Sequence, residues 1–148
     1  MMSNNNYNNT GEQNSSAPQL NSLVVDSCYS SATGIMQYQI MDYATGVPLY
    51  TSKPIFGATN NAGEFLVVVL ALKYCKKTGR DAIVYTDSTT AMAWVRKRKT
   101  KSGATTNMKI LTQIIEAEQW LRANPDHNKV EKWLTHLWGE IPADFDRK

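Results

Sequence analysis

The run Gly57-Ala58-Thr59-Asn60-Asn61-Ala62-Gly63-Glu64 is small, polar and turn-prone. It leads without a break into Phe65-Leu66-Val67-Val68-Val69-Leu70-Ala71-Leu72, which is wholly apolar. Valines suit a strand, but the segment continues to Lys77, about four turns in all, and stops at Gly79 just after two cations, as a helix end does. A helix that is apolar nearly all round must lie deep against a sheet. With Asn61 as N-cap, Glu64 falls at the third helical position, the capping-box spacing. One carboxylate is thereby delivered to the rim of a buried element.

Working outward, Leu23-Val24-Val25 reads as a buried strand ending on Asp26, followed by a small-residue turn to Gly34. The stretch from Gly34 to Asp42 alternates as a second strand, and Pro48 to Phe56 returns as a third, making an antiparallel meander. Beyond the helix, Ala82 to Thr86 is a fourth strand with Asp87 at its end. A short helix from Ser88 to about Lys97 follows, capped by Asp87 or Ser88. Thr106 to Ala123 is a further helix whose buried face is Ile110, Ile114, Ala117 and Leu121, and Lys129 to Thr135 is a fifth strand. The order predicts a five-stranded mixed α/β sheet, with strands 1–3 antiparallel and strands 4 and 5 parallel, flanked by helices.

Length and composition bound the rest. The 148 residues suit one domain, and 42% hydrophobic with 20% charged residues is ordinary for a globular chain. Residues 1–22 are Asn- and Ser-rich, with Glu12 their one charged side chain, and are expected to be a disordered leader before a domain spanning 23–148. Cys28 and Cys75 are too few for a disulfide scaffold or a cysteine zinc site, so free thiols in a cytoplasmic protein are expected. No apolar run reaches the ~18–20 residues of a membrane span, and no secretory signal pattern opens the chain. The net charge of +3 permits an anionic partner. The cations concentrate at Arg96, Lys97, Arg98, Lys99 and Lys101, a segment suited to phosphates. A solvated helix end would show the same charges.

Asp26, Glu64 and Asp87 each stand where a strand ends or a helix begins. If the first and fourth strands are neighbours, these carboxylates meet at the sheet edge where α/β folds hold ligands. Three acids in one place repel and desolvate one another unless cations lie between them, and an all-oxygen donor set selects Mg²⁺ or Mn²⁺. Taken singly, Glu64 could be a capping residue, Asp87 an N-cap and Asp26 a turn residue.

The chain from Leu23 onward resembles type 1 ribonuclease H, and within it a bacterial subgroup ending in Trp-Gly-Glu-Ile-Pro-Ala-Asp. The matching segments are Val25-Asp26-Ser27, Thr59-Asn60-Asn61-Ala62-Gly63-Glu64, Tyr85-Thr86-Asp87-Ser88 and Trp138-Gly139-Glu140-Ile141-Pro142-Ala143-Asp144. The resemblance implies an endonuclease, monomeric and without a membrane or obligate protein partner, that cuts the RNA strand of RNA–DNA hybrids with two Mg²⁺ ions, Mn²⁺ being a substitute. It implies a metal-binding core of Asp26, Glu64, Asp87 and Asp144, with Asp144 preferred to Asp146 because of the Ala-Asp dipeptide. It further implies substrate contacts from Ser27, Cys28, Thr59, Asn60, Asn61 and Ser88, with Arg96, Lys97 and Arg98 on the DNA strand. Many relatives carry Asp-Gly-Ser where this chain has Asp26-Ser27-Cys28. His136 is either the residue assisting product release or an exposed histidine at a strand end, and His127 is a loop residue. The alternatives are a related nuclease of the same superfold acting on another nucleic acid, and a non-catalytic nucleic-acid-binding module.

Overall fold

The computed structural model describes residues 17–101 and 107–144. The leader up to residue 16, the helix start expected at Thr106, and Asp146 lie outside the described residues. Strands β1 (Ser22–Ser30) and β2 (Ile35–Asp42) form an antiparallel hairpin that turns at Gly34, whose φ of 73° favours glycine. The first strand does not end on Asp26 as expected: Ser27 to Ser30 stay extended because they pair with Tyr38 to Ile35 of β2. The expected third strand is split into β3 (Pro48–Thr51) and β4 (Ile55–Phe56), both antiparallel to β2. Lys53-Pro54 explains the break: proline donates no hydrogen bond and restricts the residue before it.

Helix α1 (Asn60–Thr78) crosses from the meander to β5 (Ile83–Thr86), which lies parallel to β1. Helices α2 (Thr89–Lys97) and α3 (Met108–Ala123) follow, and β6 (Val130–Lys132) then joins β5 in parallel. Among the described residues the sheet has six strands in the order β3-β2-β1-β5-β6, with β4 also on β2, so the mixed α/β arrangement read from the sequence is present. The fifth expected strand is shorter than Lys129 to Thr135, because Thr135–Trp138 instead forms a short helix, α4.

The helix side of the sheet is one core built around α1. Ala62 through Val69, Ala71, Leu72 and Cys75 are buried, and Ile110, Ile114, Ala117 and Leu121 of α3 pack against the same cluster. Each such Leu, Val or Phe contributes about 1.5–3 kcal/mol over its exposed state. The opposite face carries a smaller core of Val24, Tyr85, Trp133, Ile141 and Ala143. Trp133 meets Tyr85 and Trp138 edge-on at 5.7 and 4.9 Å, a geometry that suits the ring quadrupoles. That second core fastens the segment after α4 across the sheet and so brings Asp144 toward the place where β1 and β5 part. No described helix is long and apolar enough to cross a membrane.

Candidate metal centre

The last β1–β5 pair is Val24 opposite Tyr85. Asp26 and Asp87 each lie two residues further on, so parallel pairing places them side by side where the strands part. Glu64 reaches the same place from α1. The cap there differs from the sequence expectation: Thr59, not Asn61, is the N-cap, and its hydroxyl accepts from the Ala62 amide at 3.1 Å. Glu64 is thus the fifth helical residue rather than the third, and the capping box does not form. Freed from the cap, its carboxylate turns to the aspartates. Two contacts fix α1 against β1: Ser27 Oγ donates to Asn60 Oδ1 at 2.8 Å, and Gly63 packs directly on Ser27 and Met36.

One donor atom each from Asp26, Glu64 and Asp87 lies within 4.8 Å of the others. Asp26 and Glu64 are only 6% and 5% exposed. Burial, then the Asp87 charge, pushes the Asp26 carboxyl up to about 7. Glu64 is pushed up to about 10 by burial and then by Asp26 and Asp87, and burial also raises Asp87, against the opposing pull of the Lys132 ammonium. Glu64 Oε1 is buried without a hydrogen-bond partner. A buried, unpartnered carboxylate oxygen among like charges is what a bound cation would resolve, so the residues fit a hard divalent metal.

The carboxylates line an open depression of about 470 Å³ together with Ser27, Asn60, Asn61, Ser88, Thr89, Thr90, Glu140 and Asp144. Asp144 reaches it through the closing segment, and its charge bears on both Asp26 and Asp87. Asn61, Thr89 and Thr90 are shared with a second depression, lined also by Trp94, Lys97, Lys99 and Lys101, so the two are continuous. The basic segment is divided here. Arg98 takes a left-handed φ of 60° to cap α2, and Arg96 and Arg98 line a separate hollow with Met92, Val95, His127 and Val130.

Most residues singled out in the sequence therefore meet at one place, while Cys28, Thr59, Arg96, Lys97, Arg98 and His136 do not line the acidic depression, Lys97 lying in the one beside it. His136 is exposed on α4 rather than at a strand end. Trp94 packs edge-on to Phe65 at 6.0 Å, and Trp120 stacks on His127. The sequence reading did not single out Glu140, Lys132 or Gly63 as functional. Glu140 sits four residues before Asp144 in the closing motif, a spacing that was available as a signal. Lys132 pairs with Thr86, beside Asp87, only through the β5–β6 register.

Fold and site together define a mixed α/β domain with an oxygen-only acidic cradle at the edge between two parallel strands. No family model matches the chain. Among solved structures it is similar to the N-terminal RNase H domain of a Mycobacterium tuberculosis protein, at 20% identity over 76% of this chain and 86% of that one, with a TM-score of 0.47. It is also similar to RNase H1 of the archaeon Halobacterium salinarum, at 14% identity over 75% and 81% of the two chains, with a TM-score of 0.44. A third is the PFV RNase H domain, at 18% identity over 76% and 77%, with a TM-score of 0.46.

Proposed function

We propose that this chain is a ribonuclease H: a metal-dependent endonuclease that hydrolyses the RNA strand of RNA–DNA hybrids, leaving 5′-phosphate and 3′-hydroxyl ends. The observation that carries the reading is the convergence of Asp26, Glu64 and Asp87 donor atoms within 4.8 Å around a buried Glu64 oxygen that has no partner. Asp26, Glu64, Asp87 and Asp144 would hold two Mg²⁺ ions, with Mn²⁺ able to replace them. The bound ions would supply a nucleophilic water at neutral pH and stabilise the leaving oxygen.

The chain's own residues do the positioning. Asn60 and Asn61 present amide groups at the rim, able both to donate to and accept from base edges and ribose hydroxyls in a hybrid minor groove. Ser27 holds the Asn60 amide from below at 2.8 Å. Ser88 and the threonines after it line the floor toward the basic depression, where Lys97, Lys99 and Lys101 suit the phosphates of the DNA strand. Such contacts carry no base information, so sequence preference is expected to be slight. A monomer in the cytoplasm completes the reading.

Cleavage of labelled RNA–DNA hybrid, duplex DNA and duplex RNA by the full chain in Mg²⁺ tests this. Hybrid alone should be cut. Cleavage of duplex DNA would reassign the domain to another nuclease class, and hybrid binding without turnover would make it a binding module.

A further inference from the structure

We propose that Gln39 is a positioning residue for Asp144, an inference that rests on reading Asp144 as one of the metal-holding carboxylates. Gln39 stands directly opposite Asp26 in the β1–β2 ladder, so the two side chains share a face of the sheet. That face is the one covered by the closing segment: Tyr38 and Ile40, on either side of Gln39, point into the α1 core, while Met41 packs in the core beneath Ile141 and Ala143.

From there the Gln39 amide reaches 104 residues along the chain, and Nε2 donates to the Ala143 carbonyl at 3.0 Å. Thr51 Oγ1, on β3, donates to Gln39 Oε1 at 3.0 Å. The assignment of the two amide atoms follows from the partners. A backbone carbonyl only accepts, so it must face the nitrogen, and the Thr51 hydroxyl then completes the oxygen side. The result is a relay from the sheet edge, Thr51 to Gln39 to Ala143, that fixes the peptide from which Asp144 departs.

The rest of the segment is held further back. Trp133 Nε1 donates to the Gly139 carbonyl at 2.9 Å, and Ile141 and Ala143 are fully buried. Gln39 therefore acts at the last buried residue before the carboxylate, beside the aspartate that Asp144 must face. Its geometry bears on how well the acids converge, whereas the aromatic contacts bear on whether the segment docks at all. Residues that orient a metal-holding group typically change metal affinity by about 10–100-fold when removed.

The test uses the full chain and two readouts: Mn²⁺ binding by calorimetry, and the Mg²⁺ concentration giving half-maximal hybrid cleavage. Gln39→Met removes the donor while keeping the length of the side chain. It should weaken Mn²⁺ binding and raise the Mg²⁺ midpoint about tenfold, with the maximal rate at saturating Mg²⁺ within about twofold and little change in metal-free melting. Thr51→Val should move both midpoints the same way by less, and Thr51→Ser should restore them. In an Asp144→Asn background, Gln39→Met should add nothing, as expected for residues acting through one group. An unchanged Mn²⁺ affinity in Gln39→Met, or additive losses in the double variant, would overturn the proposal. A wild-type chain that binds Mn²⁺ but does not cut hybrid would remove the nuclease reading and leave the Gln39 test intact, because the calorimetric arm does not depend on turnover.

Discussion

Gly63 of α1 lies so close to Ser27 of β1 that a Cβ on the glycine would stand 2.4 Å from Ser27 Oγ and 2.5 Å from Met36 Sδ. No side chain fits there without moving the helix or breaking the Ser27–Asn60 hydrogen bond. Since Glu64 is the next residue, this approach sets the distance between Glu64 and Asp26. Gly63→Ala should therefore cost metal affinity and hybrid cleavage by about tenfold or more while destabilising the fold by roughly 1–3 kcal/mol, as overpacking does. Calorimetric metal binding beside thermal melting separates the two effects. Wild-type metal affinity in Gly63→Ala would show that helix approach does not set the site.

The acids strain the metal-free protein in a pH-dependent way. The Glu64 carboxyl rises from an ordinary 4.5 to about 10, and Asp26 from 3.8 to about 7. The folded state thus holds these protons over a range in which the unfolded chain has released them. Between those limits the folded form binds more protons, so stability falls as pH rises. Without divalent metal, the melting temperature should drop steadily from pH 5 to pH 9, and Mg²⁺ should oppose the drop by pairing the charges. Glu64→Gln should flatten the slope and raise the metal-free melting temperature at pH 8 by a few degrees, with roughly 2–4 °C corresponding to each kcal/mol. A slope unchanged by Glu64→Gln would contradict the burial argument.

The division of the basic segment makes a sharper statement than its charge count. Lys97, Lys99 and Lys101 face the depression continuous with the carboxylates, whereas Arg96 and Arg98 face the hollow beside His127. Reversing the three lysines to Glu should weaken hybrid binding and lower the salt slope by about 0.9 for each phosphate no longer neutralised, the value for a B-form duplex. Reversing Arg96 and Arg98 should do much less. Binding isotherms at several salt concentrations measure both, and an equal effect from the arginine pair would show that the hybrid also occupies the other side of α2.

Legibility in the sequence followed how local the cause was. The burial of α1 and its stop at Gly79 could be read because apolar length and C-terminal cations act within one segment. Asp26, Glu64 and Asp87 could be grouped because the apolar runs put each at an expected element end, although Asp26 stands mid-strand in β1, just past where its pairing with β5 stops. The cap could not be ranked: Thr59, Asn60 and Asn61 all suit it, and tertiary contact decides, with Ser27 engaging Asn60 and leaving Thr59 to cap. Arg96 and Lys97 are adjacent in sequence, yet the docking of α2 sends them to different sides. The Gln39–Ala143 bond, between residues 104 positions apart, has no local signature at all.

The central claim is that the clustered carboxylates form a metal-dependent catalytic site for hybrid cleavage. Its most direct test is a Mg²⁺ titration of cleavage on an RNA–DNA hybrid labelled in the RNA strand, run in parallel on wild type and on Asp87→Asn. The account predicts that wild type cuts the RNA strand only with Mg²⁺ or Mn²⁺ present, and that Asp87→Asn still folds, with a cooperative melt in metal-free buffer, yet loses cleavage at every Mg²⁺ concentration. Full activity in Asp87→Asn, or wild-type cleavage that persists in excess chelator, would contradict it.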